Sequence, residues 1–252
     1  MVKPGDNIVV WFSTGAASAV AWAETLRRYG DIANVLAVCN PVKEEDEDNR
    51  RFGYDVCERL KAPCVLWTSE KYPSGSAYDV WEKRKAMSFP KGAPCTGELK
   101  KRARQEFEAH HRVDWHVLGF TKDEEKRHDR FVMNERENVL PVLIEAGITK
   151  QDCVTFLEEA GIALPRVYSM GYPNANCIGC VKATSPTYWN LVRETFPDVF
   201  ADRAEQSRRL GAKLVRVNNE RIFLDELDPK AKGRPLKTMT LECGIFCEED
   251  DK

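Results

Sequence analysis

Cys177 and Cys180 close the polar, turn-rich run GYPNANCIGC. Two cysteines separated by two residues can turn both sulfurs toward one centre. Four kinds of chemistry are open to such a pair: ligation of a metal, a disulfide, nucleophilic attack, or simple filling of space. The chain has 252 residues and nine irregularly spaced cysteines. Its N-terminal apolar run NIVVWF is too short for the apolar region of an export signal or for a membrane span. A cytoplasmic, reducing location without membrane association is therefore expected, where thiols are buried, metal-bound or catalytic rather than paired. No strong cation flanks the pair to activate a nucleophile.

A second chemical feature is STGAAS, residues 13–18, where a hydrophobic strand hands over to a helical run. The small side chains of Ser13, Thr14, Gly15, Ala16 and Ser18 let backbone N–H groups and the helix N-terminus approach a phosphate or sulfate. The same stretch also reads as an ordinary βα turn. It lacks the Gly-Lys-Ser/Thr ending of a P-loop NTPase. A polar run, GFTKDEEKRHDRF, residues 119–131, can bring Gly119, Arg127 and Arg130 to the same anion, and Lys100 is a further candidate cation. Each of these charges also fits a merely solvated helix face. A formal net charge of −2 with 31% charged and 42% hydrophobic residues describes a globular chain and favours no class of partner.

The elements that must position these residues read as strand at 7–12, helix at 19–29, strand at 35–39, helix at 46–60, strand at 64–67, helix at 97–110 and strand at 115–119. This alternation predicts a doubly wound, mostly parallel α/β sheet with helices on both faces. Ligands of such sheets bind beyond the carboxyl ends of the strands, so the loops at 13–18, 40–46, 68–78 and 119–130 are expected on one rim. After Pro141 the pattern turns helical: 149–160 with Thr149 as cap, 186–196, and 198–210. A hairpin is expected around Asn218-Asn219. The division expected is a nucleotide-binding core at 1–140, a helical and cysteine-pair region at 141–227, and a mobile tail at 228–252 that carries LECGIFC.

The order of residues from 141 to 180 resembles the phosphoadenosine-phosphosulfate (PAPS) reductase family, of the adenine nucleotide α-hydrolase-like, or PP-loop, superfamily. Pro141, Thr149, Asp152, Pro165, Tyr168, Gly171, Tyr172, Pro173, Cys177 and Cys180 stand in the matching places. FSTGAASAV is similar to that family's modified pyrophosphate loop, 119–130 to its G-x-x-x-x-E-x-x-R loop, and LECGIF to the tail that carries the reductase nucleophile. The resemblance spans 12–246 and implies an adenine nucleotide α-hydrolase-like fold.

It further implies a [4Fe–4S] cluster, with zinc as the alternative, held by Cys95, Cys177 and Cys180. Cys247 is the candidate fourth ligand, and Cys243 can take that place if the position does not stay open. In the reductase reading Cys243 is the nucleophile: it attacks the sulfate of a bound adenylyl sulfate, and thioredoxin or glutaredoxin frees sulfite. Cys39, Cys57, Cys64 and Cys153 are expected as small core residues.

The sequence departs from the cluster-bearing reductases where Cys95-Thr96 replaces a tandem Cys-Cys, where Leu99-Lys100 replaces Arg-Lys, and where Phe246 replaces the tail histidine. CTGELK is closer to relatives that activate a substrate with ATP and magnesium and install sulfur in tRNA or DNA. The basic run KKRAR, 100–104, agrees with that alternative. A third reading is a nucleotide-binding sensor that carries a metal cluster.

Overall fold

The computed structural model describes residues 1–89 and 92–236. They form two compact units, neither continuous in sequence. The first comprises Met1–Pro41, Glu47–Thr68 and Ala103–Arg166; the second comprises Val42–Asp46 and the described residues of Ser69–Arg102 and from Val167 onward.

In the first unit β1 (Asn7–Trp11), β2 (Asn34–Cys39), β3 (Cys64–Leu66) and β4 (Trp115–Val117) make a parallel sheet in the order β3-β2-β1-β4. The connecting helices are α1 (Ala16–Tyr29), α2 (Asp48–Leu60) and α4 (Arg102–His110); α5 (Glu125–Asn134), α6 (Val142–Glu145) and α7 (Lys150–Glu159) follow β4. Alternate side chains of β1 serve opposite faces, as strand geometry requires. Ile8, Val10 and Phe12 join a core with Trp22 of α1, Phe52 and Val56 of α2, and Cys153 and Leu157 of α7. Trp11 points the other way, edge-on to Phe107 of α4 at 5.7 Å. Helices thus cover both faces, and the doubly wound parallel α/β fold expected from the sequence is the one observed.

The second unit is mainly helical. It contains α3 (Ala77–Arg84), a π-helical turn at Thr96–Lys101 that runs into α4, and α8 (Arg166–Ser169), whose first residue belongs to the first unit. α9 (Pro186–Thr195), α10 (Pro197–Arg209) and the hairpin β5 (Val215–Val217) and β6 (Glu220–Ile222) complete it. Pro186 and Pro197 open their helices, where the missing N–H costs nothing. Asn218 and Asn219 turn the hairpin with φ of 48° and 65°, the left-handed pair that a two-residue hairpin needs. Trp81, Tyr188, Trp189 and Val192 centre its core.

The sequence reading differs from the structure at several elements. It missed α3, whose cap is unusual: the Glu44 carboxylate accepts from the Ser76 hydroxyl at 2.8 Å and from the Ala77 and Tyr78 amides at 2.7 and 3.0 Å. It began α1 three residues late, because Ala16 and Ser18 carry no strong pattern. At the start of the segment expected as a mobile tail, Asn190 donates to the Asp228 and Ala231 carbonyls at 3.0 and 2.9 Å and Ser185 to that of Arg234 at 2.9 Å, so this stretch is hydrogen-bonded to α9 and its N-cap.

Candidate functional site

β1 and β4 are neighbours, but the chain first leaves β1 toward β2 and β3 and only later returns to its other side. The gap beyond the carboxyl ends of β1 and β4 is therefore the topological switch point, where open parallel sheets bind ligands. Two loops of the first unit meet there. Thr14 holds a left-handed φ of 54°, rare for a residue branched at Cβ, and its hydroxyl donates to the Ser13 carbonyl at 2.7 Å. The Ser18 hydroxyl accepts from the Ser13 amide at 3.2 Å and donates to the Gly15 carbonyl at 2.9 Å. Gly15 caps α1 with no side-chain hydrogen bond, and the first turn carries no acid. The N-terminus of this 14-residue helix thus offers amide donors and the positive end of its dipole.

Gly119 supplies the other wall. A Cβ on it would lie 2.8 Å from the Ser18 nitrogen and 3.0 Å from the Ala17 carbonyl carbon, so only glycine lets the two backbones approach this closely. Beyond it, Thr121 and Glu124 form a reciprocal cap for the helical turn at Lys122–Glu124 that leads into α5. Of the expected cations, Arg127 donates to Glu124 at 2.7 Å and lies 5.1 Å from the Phe120 ring centroid, while Arg130 is exposed on α5. Lys100 belongs to the second unit, as do Val42–Asp46 and residues 69–78 of the loops expected on the common rim.

The cysteine pair lies in the second unit. Gly179, at a φ of +69°, makes the turn between Cys177 and Cys180. Tyr188 of α9 braces that turn: its hydroxyl accepts from the Cys180 amide at 2.9 Å and donates to the Cys177 carbonyl at 3.4 Å. The Ile178 amide donates to the Glu44 carbonyl at 2.9 Å. Tyr172 of the GYP run stands edge-on to Tyr188 at 6.0 Å and shares a hydrogen bond with Thr195. Cys95 caps the π-helical turn and packs on the same core.

Burial pushes the Cys177 thiol well above the usual range; negative charge on Glu45, Cys180 and Cys95 adds to the effect, and the Lys100 ammonium opposes it. Cys180 belongs to the core of this unit, and Cys95 and Cys177 pack against it. Lys100, only 4% exposed, is paired with Glu45 at 3.3 Å rather than presented to solvent. Burial also raises the Glu45 carboxyl, against the pull of Lys100.

Among the described residues no three His, Cys, Asp or Glu side chains are already gathered so as to hold a metal ion. The chemistry of the donors fits one nonetheless: three soft thiols border one core, and two belong to a turn braced at both peptide groups. Cys243 and Cys247 lie outside the described residues. Cys39 and Cys153 are buried, whereas Cys57 and Cys64 are only partly so; all four border the first unit's sheet.

Sequence reasoning missed Glu45, Tyr188 and Arg203. Glu45 lay in the 40–46 loop expected on the ligand rim, and the other two lay on helices read only as elements separated at Pro197. The KKRAR run is divided: Lys100 and Arg104 are buried, Lys101 is half-buried, and Arg102 is exposed and paired with Glu98 at 2.9 Å.

No family model matches the chain, and no curated protein matches it. Solved structures do. One is phosphoadenylyl-sulfate (PAPS) reductase from Candida auris in complex with phosphate, 10% identical, with 69% of this chain and 81% of that one covered at a TM-score of 0.47. Another is the U34-tRNA thiolase NcsA from Methanococcus maripaludis with its [4Fe–4S] cluster, 11% identical, with 83% and 73% covered at 0.41. Likenesses this distant carry no substrate, residue role or mechanism over to this chain. No helix among the described residues is long and apolar enough to cross a membrane.

Proposed function

We propose that the chain is an enzyme acting on an adenine nucleotide, of the sulfonucleotide-reductase kind. The observation that carries this reading is the switch point between β1 and β4, where the side-chain-free cap of α1 meets the glycine-only approach of Gly119. The amides there suit a phosphate or sulfate. Arg127 and Arg130 are the cations of the same unit proposed to serve that anion.

The Cys243 thiolate would attack the sulfate sulfur of the bound adenylyl sulfate. The S–O bond of the mixed anhydride breaks, the nucleotide leaves with the electron pair, and Cys243 becomes an S-sulfocysteine. A dithiol protein of the thioredoxin or glutaredoxin type then attacks the Cys243 sulfur. Sulfite leaves with the S–S electron pair, and the donor is oxidised to its disulfide as Cys243 is regenerated. Cys95, Cys177 and Cys180 would hold the [4Fe–4S] cluster or, in its place, zinc, with Cys247 or Cys243 as the fourth ligand. Such a centre, when bound, supplies a compact charge that tunes the field at the sulfate. Tyr188 fixes the turn that presents two of those sulfurs.

A second reading rests on the CTGELK stretch, whose Cys95 would join Cys177 and Cys180 as three ligands if neither tail thiol closes the centre. A centre with one position open suits ATP- and magnesium-dependent sulfur transfer to nucleic acid. Burial of Lys100 and Arg104 removes two of the five KKRAR residues from any basic surface and weakens this reading.

Reconstituted protein incubated with adenylyl sulfate, its 3′-phosphorylated form and ATP separates the two readings. Sulfite release in the presence of thioredoxin or glutaredoxin is the expected result. Pyrophosphate released from ATP only with RNA or DNA present would overturn it in favour of thiolation. Binding without turnover of any of the three would leave only a nucleotide sensor.

A further inference from the structure

A buried cation stands beside the cysteine turn without an anionic partner. Arg203 of α10 is 4% exposed. Its guanidinium stacks on Trp81, 4.5 Å from the ring centroid, and one terminal nitrogen donates to Gln206 at 2.8 Å. Its Nε has no hydrogen-bond partner, and no carboxylate among the described residues makes an ion pair with it. Glu44, the acid with the largest electrostatic effect on it, already spends its oxygens capping α3.

The unpartnered Nε faces the Cys-x-x-Cys turn: a Cβ built on Gly179 would lie 3.5 Å from it, and Cys177 is the next strongest of its electrostatic partners. A cation kept from water is costly unless an anion is supplied. Neutral thiols supply none. Sulfurs that ligate a metal are thiolates and do.

We propose that Arg203 is a positioning residue of the thiolate centre, its guanidinium set against the Cys177–Cys180 turn to balance and orient the sulfurs once a thiophilic metal or cluster is bound. This rests on the reading of Cys95, Cys177 and Cys180 as ligands. Outer-sphere partners of this kind govern metal affinity by ~10–100-fold.

The test is anaerobic titration of the full, metal-free chain with Co²⁺, read through the thiolate-to-cobalt charge-transfer absorption, on wild type, Cys177→Ser, Arg203→Met and Arg203→Lys. Far-UV circular dichroism and thermal unfolding confirm that each variant is folded. Wild type is expected to develop the band and Cys177→Ser to lose most of it. Arg203→Met should bind about 10–100-fold more weakly with an altered band, and Arg203→Lys should recover most of the affinity. Should Arg203→Met fail to fold, Arg203→Gln, neutral but polar, takes its place.

Wild-type affinity in the folded neutral variant overturns the proposal, as does a folded Arg203→Lys that binds no better than it. In both cases the band in wild type leaves the thiolate centre standing. Absence of the band in wild type overturns the centre and this proposal together.

Discussion

At the scale of single residues, the two candidate sites depend on atoms that leave no mark on composition. Gly119 is one. Its replacement by alanine forces a carbon to within 2.8 Å of the Ser18 nitrogen, where backbone must move. Gly119→Ala is expected to destabilise the chain by about 1–3 kcal/mol and to abolish binding of adenine nucleotides, measured by denaturant unfolding and calorimetric titration. Unchanged nucleotide affinity would remove the switch point from the function. Cys243 is the opposite case, visible in the sequence through its Glu-Cys-Gly context. Cys243→Ser should end sulfite release while nucleotide affinity stays within a few-fold of wild type; a variant that still releases sulfite shows that another thiol attacks.

Elements are where propensity and packing can be separated. Gly53 sits inside α2, and a Cβ on it would meet Thr14 Cγ2 and Phe12 Cε1 at 3.7 and 3.8 Å, ordinary contact distances. Gly53→Ala should therefore stabilise the chain by about 0.5–1 kcal/mol, the helix-interior difference between the two residues. A loss of stability would mean that the Thr14 turn tolerates no neighbour. The same substitution is thus expected to act with opposite sign at 53 and 119. Sequence reading could not foresee that contrast, because it lies in the distance to a neighbouring backbone. The cap of α7 was legible: Thr149 accepts from the Asp152 amide at 3.2 Å and Asp152 accepts from the Thr149 amide at 2.8 Å, the reciprocal pattern that a Thr-x-x-Asp spacing suggests. The cap of α3 was not, since Glu44 stands 32 residues before Ser76.

For the whole molecule, one buried group couples the sheet to pH. His116 of β4 is 1% exposed and accepts a hydrogen bond from Trp11 Nε1 at 3.0 Å. Burial, helped by the charges of Arg136 and Arg104, pushes it down from 6.5 to about 3. The unfolded chain therefore binds this proton between pH about 6.5 and about 3 while the folded chain does not. Stability from this group is full above that window and falls with pH inside it, by up to about 1.4 kcal/mol per unit. His116→Gln should flatten the fall relative to wild type in urea unfolding between pH 4 and 6.5; parallel profiles would show that the imidazole is not held neutral.

The sequence by itself determined what is local or periodic. The strand and helix order of the parallel sheet, the Asn218-Asn219 hairpin, the helix at Thr149 and the buried character of Cys39 and Cys153 all follow from spacing and turn chemistry, which act over a few residues. Tertiary structure decided the rest. It divided the chain into two interleaved units, placed Val42–Asp46 with residues far along the chain, and buried Lys100 against Glu45 and Arg104 in the interior. It also set Arg203 beside a turn some two dozen residues earlier. A charge run reads as surface until a fold supplies its neighbours. Desolvation and pairing are properties of position in space, and the linear order of residues does not hold them.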